Sequence, residues 1–124
     1  MYKKKVSEQF IKLIEIVEKL RSPDGCSWDR EQTPKSLLPY FLEEAYEVIE
    51  SIDSENWDNL KEELGDILLH VILQTQIGIE YNRFNTLDLL NTINRKLINR
   101  HPSVFRNSKT NTGLDNQKKN WEEL

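Results

Sequence analysis

The stretch Leu42-Glu-Glu-Ala-Tyr-Glu-Val-Ile-Glu50, followed after a break near residues 53–56 by Lys61-Glu-Glu-Leu-Gly-Asp-Ile-Leu-Leu69, decides how this chain reads. Between Ser36 and Asn82 there are eleven acidic residues and one basic residue, Lys61. These carboxylates therefore lack the Lys or Arg neighbours that usually offset charge on a helix surface. If both segments are helices, Glu44 and Glu47 lie three apart on one face, as do Glu63 and Asp66. Ala45, Val48 and Ile52 border the first pair, and Leu60, Leu64, Ile67 and Leu68 border the second, so both pairs sit beside faces expected to pack inward. Carboxylates gathered in one place either retain protons through raised pKa values or surround a cation. An oxygen-only donor set favours Mg²⁺, with Mn²⁺ as a substitute, over zinc.

Working outward, 124 residues suit one domain, with a core over 7–105, a mobile loop over 106–117 that could act as a lid, and a short C-terminal segment over 118–124. With 37% apolar and 31% charged residues and only four Gly and four Pro, an all-α fold is expected. No apolar run approaches the roughly 20 residues of a membrane span, and the Lys3-Lys4-Lys5 start leads into an amphipathic segment, so a cytoplasmic protein without a membrane partner is expected. Cys26 is the sole cysteine, which excludes an intrachain disulfide and a Cys-based zinc site. Sixteen of the seventeen basic residues lie in 3–35 or 83–119, outside the acidic middle. With a net charge of −4, that division suits an anionic small ligand held through a metal better than a nucleic acid.

The spacing predicts a first helix over 7–21 with Ser7 as N-cap, then a structured Pro/Gly/Asp loop around Trp28, whose ring either plugs the end of a bundle or lines a pocket for a planar base. A second helix starts at Thr33-Pro34 or Ser36–Pro39 and ends near Ser54. A third, capped by Asn56, runs to about Tyr81 on a nearly seven-residue apolar repeat. At about 25 residues it would span roughly 37 Å, longer than one small bundle needs, so a homodimer or higher homo-oligomer is expected. Gly65 opens that helix to a close neighbour or ligand, and His70 reads as structural. A fourth helix, capped by Thr86, stops before His101-Pro102 and carries Lys96 and Arg100 on one face.

Together these residues resemble the MazG-like nucleoside triphosphate pyrophosphohydrolases. Glu43-Glu44-Ala-Tyr-Glu47 and Glu63-Leu-Gly-Asp66 are similar to that family's Glu-Glu-x-x-Glu and Glu-x-x-Asp motif. Cys26-Ser-Trp-Asp-Arg-Glu-Gln-Thr33 is similar to its Cys-Pro-Trp-Asp-Lys/Arg-Glu-Gln-Thr segment, and Lys96-Leu-Ile-Asn-Arg-His-Pro-Ser-Val-Phe105 to its Lys-x-x-Arg-Arg-His-Pro-His-Val-Phe. Ser27, Asn99 and Ser103 depart from the Pro, Arg and His of those patterns. The resemblance implies a four-helix bundle of the all-α NTP pyrophosphatase type in its single-domain form, with helices packing across a dimer. It implies Mg²⁺ ligands at Glu44, Glu47, Glu63 and Asp66, a general base at Glu43 or Glu44, triphosphate contacts from Lys96 and Arg100, and further substrate contacts from Trp28, Arg30 and Trp121. The implied reaction is NTP or dNTP plus water giving the monophosphate and pyrophosphate, in nucleotide-pool house-cleaning. The alternatives are a narrower pyrophosphatase for dUTP, dCTP or phosphoribosyl-ATP, and a non-catalytic helical dimer that binds nucleotide or protein.

Overall fold

Helices are the only regular elements among the described residues of the computed structural model, which are 1–105 and Glu122. They are α1 (Tyr2–Arg21), α2 (Ser27–Glu31), α3 (Leu38–Asp53), α4 (Trp57–Glu80), α5 (Thr86–Asn99) and α6 (Pro102–Phe105). The expected loop over 106–117 and Trp121 lie outside the described residues. No helix among those described is long and apolar enough to cross a membrane.

Residues 1–83 form one compact unit, in which α3 pairs with α4 and α1 packs on α4. Its core is Val17 of α1, Leu37 just before α3, and Ile72, Leu73 and Ile77 of α4, with Phe10, Leu13, Ile14 and Leu69 packed around it. The unit starting at Phe84 contains α5, against which α6 packs.

Helix α1 begins five residues before the expected cap. The lysines at 3–5 propagate a helix well, and Ser7 sits inside it, its hydroxyl donating back to the Lys4 carbonyl at 2.7 Å. The turn after α1 needs Gly25, because a Cβ there would overlap the carbonyls of Lys19 and Leu20. The segment around Trp28, expected to be a structured loop, then forms a short helix, α2. Arg21 anchors it by donating from Nη1 to the Asp29 and Gln32 carbonyls at 2.6 and 3.1 Å. The same guanidinium binds Glu80 at the end of α4 bidentately, at 2.7 and 2.8 Å, which holds the Glu80 carboxyl below its ordinary value. One side chain thus ties α1, α2 and α4 together.

Before α3, Thr33 and Ser36 exchange backbone-to-hydroxyl hydrogen bonds at 2.8 and 3.0 Å, and the helix then starts at Leu38 with Pro39 in its first turn. Of the two expected starts, the second is the nearer. Helix α4 has the expected Asn56 cap, whose side chain accepts from the Asn59 N–H at 3.1 Å. Helix α5 is capped one residue earlier than expected, because Asn85 and Asp88 form a reciprocal capping box.

Two helix ends turn without glycine. Glu55 (φ 54°) and Asn82 (φ 56°) take the left-handed conformation after α3 and α4. In each, the next N–H reaches back to close a six-residue Schellman turn, Asn56 to the Ser51 carbonyl and Arg83 to that of Gly78. For Asn the strain is small, whereas a Glu there costs about 1–2 kcal/mol.

Candidate functional site

The elbow between α3 and α4 sets the register of the site. Buried Ser51 donates to the Glu47 carbonyl at 2.8 Å and accepts from the Asn59 side-chain amide at 2.6 Å, clamping the two helices where they turn. Glu47 lies four residues before Ser51, and Glu63 four after Asn59. Glu44 and Asp66 lie three further along on their respective helices. Since positions three, four and seven apart share a helix face, this antiparallel register turns both carboxylate pairs toward each other. One oxygen from each of Glu44, Glu63 and Asp66 lies within 4.8 Å of the other two. Glu47 stands outside that triad, yet its carboxyl is the strongest influence on Glu63. Glu43 is exposed on α3, one residue before Glu44.

The electrostatics follow from crowding. The Oε2 atoms of Glu44 and Glu63 are out of water and have no hydrogen-bond donor. Carboxylate oxygens only accept when ionised, so contact between two of them is unfavourable until one takes up a proton. A proton held on Glu63 can be donated to the Glu47 and Glu44 carboxylates, and this, with desolvation and their negative charge added, pushes the Glu63 carboxyl up to about 8. Glu44 is also raised, chiefly by desolvation and by the charges of Asp66 and Glu47, against an opposing hydrogen bond from Glu63. Donorless buried oxygens in an all-carboxylate set fit a hard divalent cation, which would replace the shared proton.

His70 lies one turn past Asp66. It is buried, with its ring edge-on to Phe41 at 5.7 Å, and burial holds its pKa below the ordinary value. A Cβ added at Gly65 would meet nothing within 4 Å, so no helix of this chain exploits the gap among the described residues. Trp28 is half exposed and packs its ring edge-on against Tyr40 at 5.8 Å, so it does not plug a core. Arg30 donates to the Ser22 and Pro23 carbonyls at 3.1 and 3.0 Å, bracing the turn after α1.

In the second unit, α5 presents a polar wall. Thr92, Arg95, Lys96, Asn99 and Arg100 recur at helical spacing and line a concavity of about 550 Å³. The paired cations expected at Lys96 and Arg100 are there, Arg100 being buried. Arg95 and Thr92 join them, residues that the Lys96/Arg100 spacing did not single out; the i, i+3, i+4, i+7 step from Thr92 is the signal that finds them.

Residues 32–105, which include all four carboxylates of the cluster and all of α5, match the MazG nucleotide pyrophosphohydrolase domain family. The chain belongs to that family. It is 56% identical over 99 residues to the nucleoside triphosphate pyrophosphohydrolase/pyrophosphatase MazG of Thermotoga maritima, a match covering 80% of this chain and 39% of the relative. To the nucleoside triphosphate pyrophosphohydrolase of Escherichia coli K12 it is 45% identical over 101 residues, covering 81% of this chain and 38% of that protein. The chain thus spans about two fifths of the length of these MazG relatives. A crystal structure of a mazG-related protein from Thermotoga maritima superposes with a TM-score of 0.71 at 27% identity, covering 90% of this chain and 95% of that one. The α3–α4 elbow and α5 therefore lie within a MazG domain.

Proposed function

We propose that this MazG domain hydrolyses nucleoside or deoxynucleoside triphosphates to the monophosphate and pyrophosphate, using Mg²⁺ held by Glu44, Glu63 and Asp66, with Glu47 as a fourth carboxylate beside Glu63. The observation that carries this reading is the pair of donorless, desolvated Oε2 atoms on Glu44 and Glu63, within reach of Asp66. A merely solvated acidic face would leave those atoms in water. When bound, Mg²⁺ supplies charge neutralisation for the triphosphate and a lower pKa for the attacking water. Glu43 or Glu44 would act as the general base toward the attacking water. Lys96 and Arg100 contact phosphate oxygens and stabilise the charge that grows on the leaving pyrophosphate. Trp28, half exposed beside Tyr40, offers a ring to the base, and Arg30 and Trp121 complete the substrate contacts. No covalent nucleophile is required.

A second copy of the chain is proposed to cover the apolar residues that α3 and α4 leave exposed, among them Leu42, Ile49, Leu64 and Leu68. The proposed setting is cytoplasmic house-cleaning of the nucleotide pool. Pyrophosphate release measured over a panel of ribo- and deoxynucleoside triphosphates, with Mg²⁺ and with chelator, tests the reaction. Metal-dependent release is expected. Activity on dUTP, dCTP or phosphoribosyl-ATP alone would narrow it, and release from none would sink it in favour of a binding protein.

A further inference from the structure

The Trp28–Tyr40 ring pair has a defined place relative to the carboxylates. Tyr40, Glu44 and Glu47 follow one another on α3 at steps of four and three residues, so the pair stands on the helix face of the cluster, about 6 Å of helix before Glu44. A nucleotide whose phosphates meet the carboxylates places its base a sugar's length or more to one side, and the half-exposed indole lies on one such side. Helix α2, which carries Trp28, has little of its own to hold it. Five residues are far below the length at which a helix persists alone in water, and Cys26 gives its N-terminus no side-chain cap. At its other end the Asp29 carbonyl accepts only a long 3.3 Å bond from the Gln32 N–H, and Arg21 Nη1 supplies the shorter one, donating to the Gln32 carbonyl as well. The Arg21 side chain is 4% exposed, and Glu80 fixes its Nε and Nη2, so its aim is set from α4. Gln32 extends the connection, its side-chain amide donating to the Trp28 carbonyl at 3.0 Å and accepting from the Ser36 hydroxyl at 2.7 Å.

We propose that Arg21 is a positioning residue for nucleobase binding: it keeps α2 folded against α1 and α4, so that Trp28, backed by Tyr40, is presented to the base of a nucleotide whose phosphates lie at the carboxylates. This rests on the proposed contact of Trp28 with the base, and adds what makes that contact available. In this role Arg21 touches no substrate. A guanidinium is needed rather than any cation, because its planar fork serves Glu80 with two nitrogens and the α2 carbonyls with the third. An Arg21 that only stabilised the fold would not favour ligands that carry a base over those that lack one.

The test compares two ligands on the full chain: a nucleoside triphosphate, and inorganic tripolyphosphate, which has the phosphates and no base. Affinities are measured by calorimetry without metal, and KM and kcat for the nucleotide with Mg²⁺. Trp28→Ala is expected to weaken nucleotide binding by roughly five- to a hundredfold, the worth of stacking one base, and to spare tripolyphosphate. Arg21→Gln is expected to weaken the nucleotide by about tenfold, as for a platform formed a tenth of the time. It should raise KM to match and leave kcat and tripolyphosphate affinity unchanged. Because it acts through Trp28, it should cost nothing further in the Trp28→Ala background. Glu80→Gln separates stability from positioning, since it still offers the guanidinium an acceptor: the melting temperature should fall while nucleotide affinity holds. Arg21→Lys, which keeps a cation beside Glu80, replaces Arg21→Gln if that variant does not fold, and the same selective loss is expected. Equal losses for both ligands, or a loss that adds in full to that of Trp28→Ala, would overturn the proposal. If Trp28→Ala weakens the nucleotide and the Arg21 variants do not, the base contact stands and Arg21 is removed from it; if Trp28→Ala has no effect, both fall. A wild type that hydrolyses no NTP would defeat the proposed reaction alone, because the calorimetric comparison still decides Arg21.

Discussion

From His70 to Gly78, α4 buries six residues, whereas from Trp57 to Leu69 it buries none and carries Glu63 and Asp66 instead. One continuous helix thus serves as core at one end and as site at the other. The buried half packs Ile72, Leu73 and Ile77 against Val17 and Leu37, and the Arg21–Glu80 pair fastens its last turn. The other half is held at its start by the Asn56 cap and the Ser51–Asn59 clamp, and its carboxylates repel each other. Helical continuity lets the stable half fix the direction of the strained one. The acidic half can therefore stay open to a ligand without losing its geometry.

The sharpest way to break this division is to neutralise the acidic half. Glu63→Gln or Glu44→Gln is expected to abolish turnover at saturating Mg²⁺, because each removes one of the proposed anionic ligands at almost constant volume. The same change should raise the melting temperature of the metal-free protein by relieving repulsion. Near wild-type turnover in either variant would reduce the cluster to surface decoration.

In the buried half the expectation reverses. Ile77→Ala leaves a cavity beside Val17 and should cost about 2–5 kcal/mol of unfolding free energy, while kcat per folded molecule holds. Denaturant unfolding and active-site titration would separate the two. A loss of kcat without a loss of stability would contradict the division of labour.

A milder probe is pH. Glu63 has its folded pKa raised to about 8, so the stability linked to it is complete below the ordinary carboxylate value and is lost as pH rises through about 8. His70 and Glu80 are both shifted down, so their contributions are lost only as pH falls below 6.5 and 4.5 respectively. Between pH 6.5 and 8.5 the metal-free protein should therefore melt at lower temperature as pH increases. Excess Mg²⁺ should flatten that slope, and so should Glu63→Gln. A slope that survives the substitution would assign it elsewhere.

The smallest effect is expected at Gly65, in the acidic half. Replacing it with alanine should stabilise the free chain by about 0.5–1 kcal/mol through helix propensity, since open space surrounds the position. If activity or self-association falls at the same time, the gap at Gly65 is used by something outside this chain.

Much of the helical framework is legible in the residues alone. The Asn56 cap, Pro39 in the first turn of α3 and the stop before His101-Pro102 obey local rules that no packing overrides. The start of α1 is misplaced by those rules because serine caps helices and also tolerates their interiors, where its hydroxyl bonds the preceding turn. The glycine-free Schellman turn at Glu55 leaves no sequence signal, since strain at one residue is offset by contacts elsewhere, whereas at Asn82 the residue type itself suits the left-handed conformation.

By itself the sequence determined the four long helices to within a few residues at their ends, the separation of acidic from basic segments, and which carboxylates share a face, because these depend on residue type and a period of 3.6. Tertiary structure alone decided that Glu44, Glu63 and Asp66 bring oxygens within 4.8 Å while Glu47 flanks them, that Arg21 joins three helices, and that Trp28 stays half exposed. Those outcomes depend on the register of α3 against α4 and on the chain's return onto α1. That register is set by a clamp between Ser51 and Asn59, whose partnership no spacing rule announces.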